Sequence, residues 1–151
     1  MTLFAPHMQA ALAEARAAAR RGETPVGAVV VDPAKGEIVA AAGNRPREAK
    51  DPSAHAELLA IREACAAIGS ERLPDFDLYV TLEPCAMCAA AISFARIRRL
   101  YFGAADPKGG AVTSGPRFFQ QPTCHHAPEI FSGICAAEAS ELLTAFFAER
   151  R

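Results

Sequence analysis

Apolar positions recur along this chain with two different periods, and the alternation between the periods lays out its elements. Residues 4–21 carry Met8, Leu12 and Ala15 on one stripe in an Ala-rich background. Gly22 follows as a stop, so a first helix is predicted there. Val26 opens a short β-branched run to Asp32 that predicts a buried strand. Pro33-Ala34-Lys35-Gly36 supplies a turn, and residues 37–43 return as the partner strand. The polar stretch 44–51 reads as a loop. Asp51-Pro52-Ser53 then offers helix-start chemistry for a helix over 54–68, ended by Gly69. A strand is predicted over 78–82, closed by Pro84, then an Ala-rich helix over 85–95 and a strand over 99–103. Residues 104–128 are rich in Gly, Pro and polar residues, and connections of that length are often functional. A last strand over 129–134 and a closing helix over 136–151, with Leu142, Leu143, Phe146 and Phe147 at helical spacing, complete the chain. Helices alternate with strands, which predicts an α/β layered fold.

Composition narrows the functional classes. With 151 residues, 51% hydrophobic and 22% charged, the chain is expected to form a single domain, 1–151, with a real core. A net charge of −1 exerts no global pull on nucleic acid or anionic membrane, so any nucleic-acid site must be a local patch. Arg96, Arg98, Arg99, Lys108 and Arg117, facing one acid, Asp106, are the candidate patch. No apolar run is long enough to span a membrane, and the first residues lack the character of a signal peptide. The five cysteines are odd in number and two form a C-x-x-C, which favours an intracellular metal site over disulfides; the cytoplasm is the expected compartment.

The chemistry concentrates in two short strings. His55-Ala56-Glu57 and Pro84-Cys85-Ala86-Met87-Cys88 together make the H-x-E then P-C-x-x-C signature of zinc deaminases that act on nucleobases. His55, Cys85 and Cys88 are the candidate zinc ligands. A structural zinc closes its tetrahedron with four protein ligands, whereas a catalytic one stops at three and leaves a place for water. Cys85 and Cys88, three apart, share one helix face. His55 and Glu57 are two apart and can serve one site only if it lies off the N-terminal end of their helix. Two helix N-termini are therefore expected to point at one zinc, with Glu57 as the spare carboxylate that shuttles protons. A lone C-x-x-C is as often a redox pair or part of a structural site. Cys124-His125-His126 is the rival feature, able to supply a fourth ligand or hold a second metal. Cys65 and Cys135 read as buried apolar thiols, His7 as a surface residue, and Phe146-Phe147 as core packing.

Over most of its length the chain resembles the cytidine deaminase superfamily, and within it the bacterial adenosine deaminases of the tRNA wobble base. The likeness runs through Pro25-Val26-Gly27-Ala28-Val29, Gly43-Asn44-Arg45-Pro46, Asp51-Pro52-Ser53-Ala54-His55-Ala56-Glu57, Leu78-Tyr79-Val80-Thr81-Leu82-Glu83-Pro84-Cys85 and Asp106-Pro107-Lys108-Gly109-Gly110-Ala111. The zinc motif points only to the superfamily; Asn44-Arg45-Pro46, the Asp106 segment and the basic Arg150-Arg151 tail point to the tRNA branch. The resemblance implies a three-layer α/β/α fold on a five-stranded mixed sheet and one zinc per subunit. It also implies a homodimer whose site for the tRNA anticodon loop uses both subunits. By the same resemblance, activated water attacks C6 of adenine with Glu57 as proton shuttle, giving inosine and ammonia. Asn44 would bond the flipped nucleoside, Val26 and Leu82 would pack on its ring, and backbone N–H groups near Ala56 and Cys85 would meet the water or the base. Asp106 would meet a ribose hydroxyl. Residues 112–126 depart from the family pattern. There Arg117-Phe118-Phe119 could stack on neighbouring bases or simply pack the loop. Two other readings stay open: a free-purine (guanine) deaminase with the same zinc site, and a non-catalytic zinc-binding module.

Overall fold

The computed structural model describes residues 5–150. Residue 4 of the expected first helix and Arg151 of the basic tail lie outside the described residues. In order, the chain forms α1 (Ala5–Arg20), β1 (Gly27–Asp32), β2 (Glu37–Gly43), α2 (Pro46–Ala49), α3 (Ala56–Ile68), β3 (Asp77–Leu82), α4 (Ala86–Phe94), β4 (Arg99–Ala104), β5 (Glu129–Phe131) and α5 (Ala136–Ala148). The five strands lie in the order β2-β1-β3-β4-β5. β1 pairs antiparallel with both β2 and β3, while β3, β4 and β5 run parallel, so the sheet is mixed as expected.

Strand alternation divides the apolar side chains between two faces. Ala28, Val30, Leu78, Val80, Leu100 and Phe102 join one buried cluster with Ala60, Ile61 and Ala64 of α3 and Ile92 of α4. Val29, Val31, Tyr79 and Tyr101 join the other, with Met8, Ala11 and Leu12 of α1 and Ala139 of α5. A sheet covered on both faces explains why these strands read as continuous apolar runs. On the α1 side, the rings of Tyr79, Tyr101 and Phe131 stack across three neighbouring strands at 4.3 and 4.9 Å between centroids. His7, expected at the surface, lies against the end of that stack, 5.2 Å from Tyr79. α1 packs on β1 so closely that a Cβ at Gly27 would meet the Ala15 amide nitrogen at 2.6 Å. Only a hydrogen fits there, and this contact fixes the strand that opens the site.

Several boundaries differ from the periodic reading. The 44–51 segment holds the short helix α2, whose first two amides, Arg47 and Glu48, donate to the buried carboxylate of Glu23 at 3.2 and 2.8 Å. α3 begins at Ala56 and not at 54, because Asp51 and Ser53 bond each other in a turn of their own and cap nothing. β5 stops at Phe131, since Gly133 turns the chain at φ +81. Residues 118–120 form a single 3-10 turn, with Phe119 packed on the α3–α4 core, which favours loop packing over a free stacking platform. Phe146 is buried but Phe147 is half exposed, so the closing pair is only partly core. Cys65 and Cys135 are partly buried at the edges of the two cores.

Candidate active site

His55 and Cys85 occupy the same structural position in two different helices. Each is the N-cap residue, with extended backbone (ψ 150 and 176) and no side-chain cap bond of its own. Their side chains are therefore free to leave the helix and converge beyond its end. Cys88, one turn into α4 and fully buried, reaches the same point. His55 Nδ1 lies 3.7 Å from Cys85 Sγ and 3.5 Å from Cys88 Sγ, and all three donor atoms fall within 4.8 Å of one another. Tetrahedral zinc with bonds of ~2.3 Å to sulfur and ~2.0 Å to nitrogen would set its S···N pairs about 3.6 Å apart. The trio matches that edge length with a thiolate and imidazole donor set that favours zinc.

Among the described residues, no further His, Cys, Asp or Glu joins this cluster. The rival feature is committed elsewhere. Cys124 Sγ contacts Ser93 Oγ at 3.6 Å, and His126 Nε2 pairs with the Ile97 carbonyl oxygen at 2.7 Å. Both clamp the long connection to the C-terminal end of α4.

Glu57 sits in the first turn of α3, 4% exposed, next to the trio and outside it. Burial pushes its carboxyl up to about 7. Hydrogen bonds from the Cys88 thiol and the His55 ring lower the Cys85 thiol to about 4, and that same bond to Cys85, together with burial, raises Cys88. A divalent cation displaces the thiol protons and makes both sulfurs ligands.

The cavity beside the trio has a volume of about 260 Å³ and is lined by His55, Glu57 and Cys85 together with Val26, Asn44, Leu82, Glu83, Asp106 and Gly109. It is slightly smaller than the range of ~300–1,000 Å³ usual for small-molecule sites. It has room for one flat ring system, and a polymer would have to turn a single base into it. A larger surface hollow of about 660 Å³, beside Asp32, Phe76 and Arg98, carries no such ligand set.

Of the expected substrate contacts, Val26, Leu82, Asn44 and Asp106 line this cavity. Ala56 does not. It is fully buried, and its N–H donates to Asn44 Oδ1 at 2.8 Å. Asn44 is in effect the remote cap of α3, holding the His55–Glu57 segment at the correct depth. The expected cationic patch is also reduced. Arg98 pairs with Asp77 at 2.8 Å and Arg99 with Glu129 at 3.0 Å across neighbouring strands. Lys108 and Arg117, in the loop after Asp106, have no ion-pair partner among the described residues.

Sequence reading passed over Glu83. It is 2% exposed and directly follows β3, two residues before Cys85, where it gathers the loop that bears Asp106. Burial alone would raise its carboxyl, but amide donors from Asp106, Val112 and Thr113 and the Ser114 hydroxyl outweigh it and hold it below the ordinary range. An acid immediately before Pro84, at the end of an apolar strand, was the available signal.

Residues 3–104 match the model of the cytidine and deoxycytidylate deaminase zinc-binding region. The chain is 63% identical over 144 residues to the tRNA-specific adenosine deaminase of Agrobacterium fabrum, covering 95% of this chain and 93% of that one. A solved structure from work on A-to-I editing by tRNA:A34 deaminases at the wobble position superposes with a TM-score of 0.89. It is 63% identical and covers 91% of this chain and 99% of that one. The guanine deaminase of Bacillus subtilis is more distant, at 30% identity and a TM-score of 0.67, over 99% of this chain and 94% of that one.

Proposed function

The chain belongs to the cytidine and deoxycytidylate deaminase family and, within it, to the tRNA-specific adenosine deaminases, and from that premise we infer that it converts adenosine to inosine at the wobble position of a tRNA anticodon. Water replaces the exocyclic amine, and ammonia leaves. The observation that carries this reading is a three-donor metal cluster with a buried, unligated carboxylate beside it and a base-sized cavity in front of both.

His55, Cys85 and Cys88 would hold one zinc. When bound, the ion polarises water so that it ionises near neutral pH. Glu57 takes one proton from the attacking water and delivers it to the ring nitrogen next to C6, then takes the second from the new C6 hydroxyl and passes it to the departing amine, so that ammonia leaves as the C6 carbonyl forms. A carboxyl whose burial holds it near 7 is suited to both taking and giving a proton, and a nearby cation lowers it from there. Val26 and Leu82 supply apolar walls for the ring. Asn44, with its Oδ1 engaged by Ala56, has its amide nitrogen left to offer the nucleoside. Asp106 stands at the mouth, where a ribose would lie. The supply of tRNA and the need for reduced thiol ligands support a cytoplasmic setting. Among the described residues, no helix is long and apolar enough to cross a membrane.

The substrate is tested by offering the protein an anticodon stem-loop RNA, free guanine and cytidine in parallel. Inosine is expected in the RNA, with turnover of the free compounds at least about a hundredfold lower, as when a site's polar groups go unmet. Guanine turnover without RNA turnover would shift the assignment to the free-purine reading.

A second copy of the chain is proposed to cover α4. Met87 and Phe94 are 38% and 68% exposed, two turns apart on one helix face, with Ala90 and Ala91 between them. Sedimentation is expected to show a dimer, and Phe94→Glu to shift it toward monomer with loss of RNA turnover. A monomeric wild-type protein that edits normally would refute the arrangement.

A further inference from the structure

The loop that carries Asp106 has little regular structure, yet one side chain from the sheet organises it. Glu83 Oε1 accepts from the Asp106 N–H and from the Ser114 hydroxyl, both at 2.9 Å. Glu83 Oε2 accepts from the N–H groups of Val112, Thr113 and Ser114 at 3.0, 2.9 and 3.0 Å. Three successive amides converging on one oxygen form an anion-holding nest, here filled from within the protein. Gly110 lies over the same carboxylate, where a Cβ would come within 2.6 Å of Oε2. The loop is wrapped on Glu83 with no room for a methyl group.

Asp106 and Gly109 of that loop, and Glu83 itself, are among the residues that line the cavity. The geometry points to Glu83 as a positioning residue for the nucleic acid: by holding the Asp106 backbone, it fixes the wall against which the flipped nucleotide rests. This rests on the RNA-deaminase reading. Glutamine has one acceptor oxygen in place of two. With that oxygen in the nest, its NH2 faces the Asp106 N–H, donor against donor. The Asp106 end of the loop is therefore what Glu83→Gln releases.

Glu83→Gln is expected to keep one zinc per chain and to raise KM for the anticodon stem-loop by about tenfold or more. That is the scale of one lost charge-assisted hydrogen bond. kcat should stay within about threefold. Amide hydrogen exchange at Asp106 and at residues 112–114 should quicken by at least about tenfold. In an Asp106→Ala background, Glu83→Gln should add less than about twofold, because the two act as one unit. Gly110→Ala, which pushes the carboxylate aside, and Ser114→Ala, which removes one donor, should move KM and exchange in the same direction should Glu83→Gln fail to fold. Unchanged exchange in these variants would overturn the role, as would loss of activity in step with loss of zinc, or full multiplication with Asp106→Ala. Wild-type protein inactive on the stem-loop would instead overturn the functional reading and leave exchange to decide on Glu83.

Discussion

Glu57→Gln is expected to bind one zinc per chain, melt no lower than the wild type, and lose at least about a thousandfold in single-turnover deamination, or about 4 kcal/mol of barrier. The three parts of that result have separate causes. Zinc is retained because the ligand cluster is complete without Glu57. Stability is retained because the carboxyl is 4% exposed and its desolvation already opposes ionisation. An amide of the same shape removes that opposition. Turnover is lost because glutamine can neither accept a proton from water nor hand one to a leaving amine. Metal analysis, thermal melting and single-turnover kinetics on one preparation read all three. Unchanged turnover in a zinc-loaded variant would remove Glu57 from the proton transfer, whereas a wild type that binds zinc and deaminates nothing would leave the zinc-binding-module reading standing.

What could be read from the chain, and what could not, follows from the range of the interactions. His55, Glu57, Cys85 and Cys88 were legible because metal chemistry restricts residue type and helix geometry restricts spacing. The apolar runs of β1, β3 and β4 were legible because a sheet buried on both faces needs them. Asn44 as the cap of Ala56 was not, because nothing local separates it from an ordinary loop asparagine, and Asp51 and Ser53 stood nearer as candidate caps. The arginine patch misled for the same reason. The partners of Arg98 and Arg99 are Asp77 and Glu129, brought beside them only by strand pairing. Glu83 and Glu23 are cases of one kind: buried acids that collect backbone amides from irregular segments and so give form to the parts of the chain that have no period. Both segments so held line the site, with Pro46 on one and Asp106 on the other.

Removing the metal should have a still larger effect, because it withdraws the chemistry and part of the fold together. Cys88→Ala deletes a fully buried ligand from the first turn of α4. It leaves His55 and Cys85, two donors on two different helices, with too few bonds to hold zinc at ordinary concentrations. Deamination is expected to fall to background, and the melting temperature by several degrees or more, since the free energy of metal binding is also free energy of folding. Wild-type protein stripped by a strong chelator should show the same loss and recover both activity and stability when zinc is returned; the variant should recover neither. Cys124→Ala supplies the contrast. Its sulfur contacts Ser93 and the His126 backbone, away from the cluster, so zinc content and activity should stay at the wild-type level. If Cys124→Ala lost zinc, the position kept for water would be held by protein, and the centre would be a closed structural site. Cys88→Ala and Glu57→Gln then separate two ways of losing the same reaction. One empties the centre and loosens the ends of α3 and α4, and the other leaves the centre whole and stops the proton.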